Sequence, residues 1–355
     1  MADKIYLRPL GIIRGQCAQQ AVDEGIALRL CSGPAAFLAG ELIEGEPGKA
    51  KRVVARAATL AAIGEPAIAA LLERIAAPRP PVAGLDMRDT LIMGVLNVTP
   101  DSFSDGGEHF APAEAVAHAR RMIEEGAAII DVGGESTRPG AGEVPLAEEE
   151  TRVIPVVQAL RELKAPVSID TRKARIMSEA AAAGAAIIND VSALTFDRDS
   201  LATAARLQLP TVLMHALGTP ERMQDDPRYE DVLLEIYDFL EARIEAAVAA
   251  GLPRDRLIVD PGIGFGKTLE HNLALMEGLS LFHGLGVPVL VGASRKSFIA
   301  RVTGEADVKR RDFGSVAAAI AAAAQGVQIV RVHNVAATRQ GLRVWQAAMS
   351  GQSRE

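Results

Sequence analysis

The sequence predicts an α/β fold, a (β/α)8 TIM barrel with a small N-terminal α/β extension, and three observations support this prediction. From residue 91 onward, short apolar runs of strand length alternate with Ala-, Glu- and Arg-rich segments of helical spacing. Eight such units in roughly 260 residues match the count and size of one closed barrel. Hydrophobic residues make up 49% of the chain and supply a large core, while only 4% are aromatic, which favours helices packed closely on a sheet. An open doubly wound sheet is the alternative.

Residues 1–85 are predicted to form the extension, and residues 86–355 the barrel domain. The patterns in the extension predict a strand over residues 5–13 and helices over residues 35–43 and 53–76. Residues 78–81, with three prolines, then end this region because adjacent prolines cannot continue a helix. No chemical motif precedes this boundary, so the extension is interpreted as a packing or assembly module.

Two sets of segments define the predicted barrel. Apolar runs of strand length occur at residues 91–96, 128–132, 167–169, 186–188, 211–214, 257–259, 287–291 and 327–332. Helical spacing occurs at residues 113–125, 148–163, 173–183, 229–250 and 316–325. Because strands joined through helices run parallel, the two sets together indicate one parallel sheet covered by helices.

A polar or charged side chain follows each of these strands. These residues are Asn97, Asp131, Asp170, Asn189 with Asp190, His215, Asp260, Ser294 with Arg295 and Lys296, and Arg331 with His333. In a β/α barrel the carboxyl ends of the strands converge on the face that carries the active site. A single Asp at a strand end is more often a helix cap, but eight polar ends in succession predict a functional site. For His215 a core histidine with satisfied hydrogen bonds is favoured.

Two glycine-rich loops extend this prediction. Residues 133–140 supply backbone NH groups, hydroxyls and the Arg138 guanidinium, which is the chemistry that holds a phosphate oxygen. Residues 260–268 fail as a nucleotide-binding P-loop, because Pro261 stands where glycine is required. They are interpreted as a tight turn that presents Asp260 and Phe265 to the pocket. The seventh and eighth strands form the usual phosphate side of such barrels.

Charge and cysteine content exclude several classes of protein. A formal charge of -7 and a pI near 5.5 argue against a nucleic-acid-binding protein and against an anionic-membrane surface. Cys17 and Cys31 lack metal-ligand spacing, so a reducing cytoplasm with free thiols is expected. Neither a signal peptide nor an apolar run of membrane-spanning length is expected.

The motifs at the strand ends resemble those of the dihydropteroate synthases, the pterin-binding enzymes of folate synthesis. They are GVLNVTPDSFSDGG (94–107), DVGGESTRPG (131–140), SIDT (168–171), INDV (188–191), DPGIGFGK (260–267), SRKS (294–297) and RVH (331–333). The resemblance covers the chain from about residue 90 onward. Two features depart from the family pattern, since the extension lies outside it and Asn334 stands where many members have Asp.

The resemblance implies a transferase that joins 4-aminobenzoate to 6-hydroxymethyl-7,8-dihydropterin diphosphate, giving 7,8-dihydropteroate and pyrophosphate. A pterin edge offers NH donors beside a carbonyl acceptor. Asp170, Asn189 and Asp260 suit the donors, and Lys296 suits the carbonyl. The two ring faces would contact Met214, Phe265 and Arg331.

Pyrophosphate departure gathers negative charge at one end of the bond and positive charge on the pterin methylene. The resemblance implies that Asn97 helps to hold Mg2+, and that Arg138, Ser297 and His333 act with the metal on the pyrophosphate. Asp131 would offset the cationic carbon. Loops would form the 4-aminobenzoate pocket from Phe103, Thr137, Arg138, Pro139 and Ser297.

The expected site therefore has two overlapping sets of residues. The catalytic set is Asp131, Asp170, Lys296, Arg331 and His333. The pterin-diphosphate site consists of Thr137, Asp170, Asn189, Met214, Asp260, Phe265, Lys296, Arg331 and His333. The resemblance further implies a homodimer and a sulfonamide target, because sulfonamides mimic 4-aminobenzoate.

Two alternatives of different classes stay open. A pterin-binding methyltransferase barrel would share the Asp and Asn strand ends, but it has no need for the Arg138 loop together with the SRKS segment. A binding protein built on an inactive barrel would be expected to have lost polar strand ends, whereas all eight are filled here.

Overall fold

The structure, a computed structural model, describes residues 4–98, 112–136, 142–218 and 223–351. Its N-terminal part is a four-stranded antiparallel sheet with three helices. The elements are β1 (Ile5–Arg14), α1 (Gly15–Asp23), β2 (Leu28–Leu30), β3 (Ala35–Glu44), β4 (Lys51–Arg56), α2 (Ala57–Ala62) and α3 (Pro66–Ala76). Strand β3 is central, because β1 pairs along one edge while β2 and β4 share the other.

The predicted helix over residues 35–43 is wrong, because this segment is β3. It pairs with β1 along its whole length, from Ile5 opposite Glu44 to Arg14 opposite Ala35. Gly40 permits close packing there, since a Cβ at this position would lie only 2.7 Å from Leu60 Cδ1. Strand pairing and packing thus override the helix propensity of Ala, Leu and Glu.

The predicted helix over residues 53–76 is correct only in part. Its first residues, up to Arg56, belong to β4, and the rest is divided into α2 and α3. Gly64 has a φ of +71°, a conformation that interrupts a helix. Pro66 begins α3 at the position where its missing NH is not needed.

The remaining chain alternates strands and helices as predicted. The strands are β5 (Leu91–Asn97), β6 (Ile129–Gly133), β7 (Val167–Asp170), β8 (Ile187–Asp190), β9 (Thr211–Met214), β10 (Leu257–Asp260), β11 (Leu290–Val291) and β12 (Ile329–Val332). The helices are α4 (Pro112–Glu125), α5 (Leu146–Leu160), α6 (Ala174–Ala183), α7 (Ser200–Leu207), α8 (Val232–Ala249), α9 (Leu269–Glu277), α10 (Ser297–Thr303), α11 (Asp312–Ala324) and α12 (Val335–Ser350). A short 3-10 helix, Leu279–Leu285, follows α9.

The eight strands form one parallel sheet in the order β10-β9-β8-β7-β6-β5-β12-β11. A parallel bridge from Val259 to Val289 joins its two ends, so the TIM-barrel prediction is confirmed. Strand β11 is shorter than predicted. Pro288 lacks the NH group that a longer ladder would need.

Apolar side chains fill the amino-terminal half of the barrel. They form one cluster whose buried members are Val82, Met87, Met93, Ile129, Ile187, Val212, Ile258, Leu290 and Ile329. Because this layer closes one end, polar side chains of the strands can gather only towards the carboxyl ends.

The extension packs against the outside of the barrel. The Tyr6 hydroxyl donates to Asp238 in α8 at 2.9 Å, and its ring lies edge-on to Tyr237 at 5.3 Å between centroids. The Ser280 hydroxyl donates to the Pro9 carbonyl at 2.8 Å. These contacts lie on α8 and the 3-10 helix, and Arg52 adds an ion pair with Asp231, the residue that caps the N-terminus of α8, at 2.5 Å. Within the described ranges, no helix combines the length and apolar character needed to cross a membrane.

Candidate active site

Sheet register brings three predicted residues to one level at the carboxyl end of the barrel. Asn97 of β5 pairs with Gly133 of β6, Gly133 with Asp170 of β7, and Asp170 with Asn189 of β8. A Cβ at Gly133 would lie 3.5 Å from Asp170 Cβ, in ordinary van der Waals contact, so Asp170 lies directly beside the end of β6. Parallel pairing therefore sets Asn97, Asp170 and Asn189 side by side, as the sequence predicted.

Arg331 binds two carboxylates at once. From β12 its Nε donates to Asp131 Oδ2 at 2.6 Å and its second terminal nitrogen to Asp170 Oδ2 at 2.7 Å. Burial by itself lowers the pKa of Arg331, but the charges of Asp131 and Asp170 raise it by a larger amount. The pKa of Arg331 therefore lies above its ordinary value, and the guanidinium stays charged. Asn189 Nδ2 also donates to Asp131 Oδ2, at 3.1 Å. These four side chains are called the Arg331 cluster.

One oxygen of the Arg331 cluster has unused hydrogen-bonding capacity. Asp131 is fully buried, and its Oδ1 has no partner among the described residues. A buried carboxylate oxygen without a donor is costly, and most buried polar atoms in folded proteins are paired. This atom is therefore suited to accept a hydrogen bond from a ligand or an ordered water.

Two carboxyl groups of the site titrate near neutral pH. Burial raises the pKa of Asp170 to about 7, although Arg331 opposes the shift. Burial likewise raises the pKa of Asp260 to about 6, although the Gly262 NH bound to its Oδ1 at 2.7 Å lowers it. Ligand NH groups that bond to these oxygens would favour the ionised forms.

The turn after β10 has the form that the sequence predicted. Gly262, Gly264 and Gly266 have φ values of +70°, +83° and +64°. At Gly262 a Cβ would come within 1.9 Å of the His215 carbonyl oxygen, so no larger residue fits. The turn presents Phe265, whose ring centroid lies 3.7 Å from Lys296 Nζ. Phe265 and Lys296 are thus brought together at the rim of the site.

Lys267 was not assigned a role from the sequence. It is buried, and its Nζ lies 3.0 Å from His215 Nδ1 and donates to the Phe265 carbonyl at 2.9 Å. Burial lowers the pKa of Lys267 to about 7, and burial with this neighbour lowers that of His215 to about 2. His215 is therefore a neutral buried histidine, the favoured interpretation. A lysine at the end of a glycine turn gives no sequence signal of burial.

The phosphate side contains a polar pair formed by His333 and Ser294, and an ion pair formed by Arg295 and Asp312. His333 Nδ1 lies 3.0 Å from Ser294 Oγ, and exposed Ser297 begins α10. Arg295 instead binds Asp312 at 2.8 Å. Asn334 donates to Asp312 at 2.8 Å and caps α12 by accepting from the Ala337 NH. Asn334, which stands where many family members have Asp, therefore still caps this helix.

Some of the other predicted residues lie near the site, and the rest lie outside the described residues. Met214 is buried at the end of β9, where it pairs with Asp260. Asp190 bonds to the Ser192 and Leu194 NH groups and so stabilises its own turn. Phe103, Thr137, Arg138 and Pro139 lie outside the described residues.

The described residues hold no group of three or more His, Cys, Asp or Glu side chains arranged to bind a metal. Half-buried Asn97, at the end of β5, offers a single amide oxygen. That donor fits Mg2+, a hard cation often bound by one or two protein oxygens together with substrate phosphates.

Comparisons with known proteins agree with this geometry. The sequence pattern of the family described as "Pterin binding enzyme" matches residues 93–333. The chain is 47% identical over 267 residues to the dihydropteroate synthase of Escherichia coli strain K12, covering 75% of this chain and 94% of that protein.

Two dihydropteroate synthases are examples of the solved structures that are similar to this one. The first is Xanthomonas albilineans dihydropteroate synthase with 4-aminobenzoic acid, with 48% identity, a TM-score of 0.72, and coverage of 77% of this chain and 98% of that chain. The second is Yersinia pestis dihydropteroate synthase in a sulfonamide drug complex, with 47% identity, a TM-score of 0.71, and coverage of 75% and 96%.

Proposed function

This chain belongs to the dihydropteroate synthases, a family of pterin-binding enzymes, and from that premise we propose the roles of its residues. The reaction joins 6-hydroxymethyl-7,8-dihydropterin diphosphate to 4-aminobenzoate and releases pyrophosphate, a transfer in folate biosynthesis. The observation that carries the proposal is the Arg331 cluster, with its unsatisfied Asp131 oxygen beside Asp170 and Asn189.

We propose that pterin recognition uses the carboxylates and the amide at the strand ends. Asn189 donates its NH2 group to Asp131, which leaves its carbonyl oxygen to accept from the pterin. Asp170 and Asp260 accept further NH groups, and Lys296 donates to the pterin carbonyl. Met214, Phe265 and Arg331 would contact the ring faces. An analogue without these donors would leave buried acceptors unpaired, which gives selectivity.

Bond exchange at the pterin methylene needs opposite charges on its two sides. The carbon–oxygen bond to the diphosphate breaks, the aniline nitrogen forms the new carbon–nitrogen bond, and the nitrogen then loses a proton to solvent. Asp131 would stabilise the developing cation, while His333, Ser297 and Arg138 would bind the departing pyrophosphate. Asn97 would hold Mg2+, which, when bound, neutralises charge on the diphosphate oxygens. The aniline lone pair is free at neutral pH, so no strong base is needed.

We propose that Phe103, Thr137, Arg138, Pro139 and Ser297 surround 4-aminobenzoate, with Thr137 also contacting the diphosphate. This assignment rests on the motifs, since only Ser297 lies among the described residues. Sulfonamides, which mimic 4-aminobenzoate, would compete there. Arg138→Ala is therefore expected to slow turnover and to spare pterin binding.

We also infer a homodimer in the cytoplasm. Phe313 of α11 is 91% exposed, and Val302 of α10 and Val344 of α12 are 60% and 66% exposed. Apolar side chains exposed on adjacent helices favour an interface between copies of the chain. Sedimentation equilibrium, which would give twice 37.4 kDa for a dimer, tests this. Cys17 and Cys31 are free thiols, which fits a reducing compartment.

A pyrophosphate-release assay tests the activity. Release is expected only when the pterin diphosphate, 4-aminobenzoate and Mg2+ are all present. Methyl transfer from a methylated pterin, tested in parallel, would instead support the methyltransferase alternative. Folded protein that releases no pyrophosphate with all three components would contradict the proposed function.

A further inference from the structure

A second group of buried charged side chains lies beside the Arg331 cluster, and the proposed reaction does not use it. Its members are all at most 9% exposed, and they are Glu135, Glu149, Thr171, Arg172 and Lys173. We call this group the Lys173 cluster. None of these residues was assigned a role from the sequence. Glu135 and Thr171 lie within matched motifs, while Glu149 and Lys173 lie in predicted helices, where Glu and Lys are ordinarily solvated.

All three protons of the Lys173 ammonium have acceptors. Nζ bonds to Glu135 Oε2 at 2.7 Å, to Glu149 Oε2 at 2.5 Å and to the Val144 carbonyl at 2.7 Å. The other oxygens of the two glutamates are also bound. Glu135 Oε1 accepts from Arg172, and Glu149 Oε1 accepts from the Thr171 hydroxyl at 2.6 Å.

The cluster joins the ends of the two strands that carry Asp131 and Asp170. Glu135 lies two residues beyond β6, and Thr171 to Lys173 follow directly after Asp170 at the end of β7. Val144 and Glu149 belong to the chain that enters α5 and to its first turn. The Lys173 ammonium therefore holds the end of β6, the start of α5 and the end of β7 at one point.

Packing around this point is close. A Cβ on Gly134 would lie 2.5 Å from Val153 Cγ1 and 3.2 Å from Glu149 Cγ, so α5 contacts the chain just beyond β6. Arg152 adds a hydrogen bond from α5 to the Gly134 carbonyl at 2.9 Å. A displacement of α5 would thus move the chain that follows Asp131.

Stability alone does not explain why charges are buried here. Taking charges out of water is costly, and buried ion pairs can often be replaced by apolar residues of similar size without loss of stability. Their hydrogen bonds do, however, fix geometry. The cluster adjoins Asp131 and Asp170, whose spacing must fit the two donor nitrogens of one arginine.

We propose that Lys173 is a positioning residue for the synthase reaction, holding the ends of β6 and β7 so that Asp131 and Asp170 stay in register with Arg331. This inference rests on the proposed function and names residues that act through the Arg331 cluster without touching substrate. A misplacement of about 1 Å near reacting groups can lower turnover about 100-fold.

The test compares Lys173→Met with the double variant Lys173→Met/Glu149→Gln and with exposed Lys164→Met as the matched control. Lys173→Met leaves the Glu149 charge buried beside Thr171 alone, so its melting temperature should fall. The double variant removes that charge and should recover most of the melting temperature. Its kcat should nevertheless stay about 100-fold below that of the wild type, while Lys164→Met keeps wild-type kcat and stability.

The outcomes separate the positioning role of Lys173 from the proposed function. If kcat recovers together with the melting temperature in the double variant, Lys173 only stabilises the fold and the positioning role is overturned. Wild-type kcat in Lys173→Met itself would overturn it as well. An inactive but folded wild type would instead overturn the proposed function and, with it, this inference.

Discussion

The Arg331 and Lys173 clusters are both buried and charged, and they lie on neighbouring strand ends, yet their hydrogen bonding differs. In the Lys173 cluster both oxygens of Glu135 and of Glu149 have donors. In the Arg331 cluster the Asp131 Oδ1 atom has none among the described residues. Arg172 Nε of the Lys173 cluster also lacks a partner among the described residues, so the difference lies in the carboxylate oxygens. Burial of charge alone is therefore a poor mark of a binding site, whereas an unsatisfied buried carboxylate oxygen can accept a hydrogen bond from a ligand.

The two clusters also differ in the protonation state that each one favours. Burial alone would lower the pKa of Lys173, but hydrogen bonds to Glu135 and Glu149 raise it, so the charged form is stabilised. Burial raises the pKa of Asp170 to about 7, so the protein around it favours the neutral form. Lys173 therefore stays charged in the folded chain, while ligand NH groups that bond to Asp170 would favour its ionised form.

The largest effect is expected for Arg331→Met, which should disrupt the Arg331 cluster directly. Asp131 and Asp170 would then share a buried space with only the Asn189 donor, and breaking such a pair costs about 3 to 5 kcal/mol. Calorimetry should detect no binding of the pterin diphosphate, and activity should be lost. Exposed Arg343→Met is the control and should behave like the wild type. Retained binding in Arg331→Met would contradict the role of the cluster.

A smaller effect is expected for Lys296→Ala, because Lys296 lies at the rim of the same site beside Phe265. It should remove one charge-assisted hydrogen bond to the pterin, about 1.5 to 3 kcal/mol, or about 10- to 150-fold in affinity. Titration calorimetry measures this, with exposed Lys309→Ala as the control. Unchanged affinity would remove Lys296 from the pterin site.

The raised pKa of Asp170 in the Arg331 cluster should make the stability of the folded chain depend on pH. With its pKa raised to about 7, the folded chain binds a proton that the unfolded chain releases at about pH 4. The stability from this proton is present at low pH and is lost as the pH rises through the folded pKa. Relative to Asp170→Asn, the wild type should lose about 1 to 3 kcal/mol of unfolding free energy between about pH 4 and about pH 7.

Urea unfolding of both proteins at several pH values measures this difference. A difference that stays constant with pH would show that Asp170 titrates as an ordinary exposed aspartate.

The smallest effect is expected at the extension, where a single hydrogen bond joins Tyr6 to Asp238 of the barrel. Tyr6→Phe removes the hydrogen bond to Asp238 and should lower stability by about 1 kcal/mol without changing kcat. Thermal unfolding and the pyrophosphate assay measure the two quantities. A fall in kcat would show that the extension acts on the strand ends as well as on the outside of the barrel.

The sequence was informative where a pattern repeats. Eight apolar runs, each followed by a polar residue, predict the barrel and the gathering of polar side chains on one face. The parallel pairing seen in the structure then sets Asn97, Asp170 and Asn189 at one level. The extension was predicted less well. Its Ala- and Leu-rich strand β3 depends on pairing with β1, a contact that local propensity does not encode.

The parts of the site that the sequence did not predict are contacts between distant residues. Arg331 lies 200 positions from Asp131, and a motif cannot show that one guanidinium binds both Asp131 and Asp170. The burial of Lys173 and Lys267 is likewise a tertiary property. Residue types at the strand ends predicted the chemistry, while only the folded chain shows which charges are already paired.

The most direct test of the central claim is calorimetric titration of the pterin diphosphate, with Mg2+, into wild-type protein and Asp131→Asn. The claim is that the unsatisfied Asp131 oxygen belongs to the ligand site. An asparagine can keep one acceptor for Arg331 but presents an NH2 group in place of the other oxygen. We predict binding to the wild type and an affinity at least about 10-fold weaker in the variant, with unfolding measured alongside. Equal affinity in a folded Asp131→Asn protein would contradict the account.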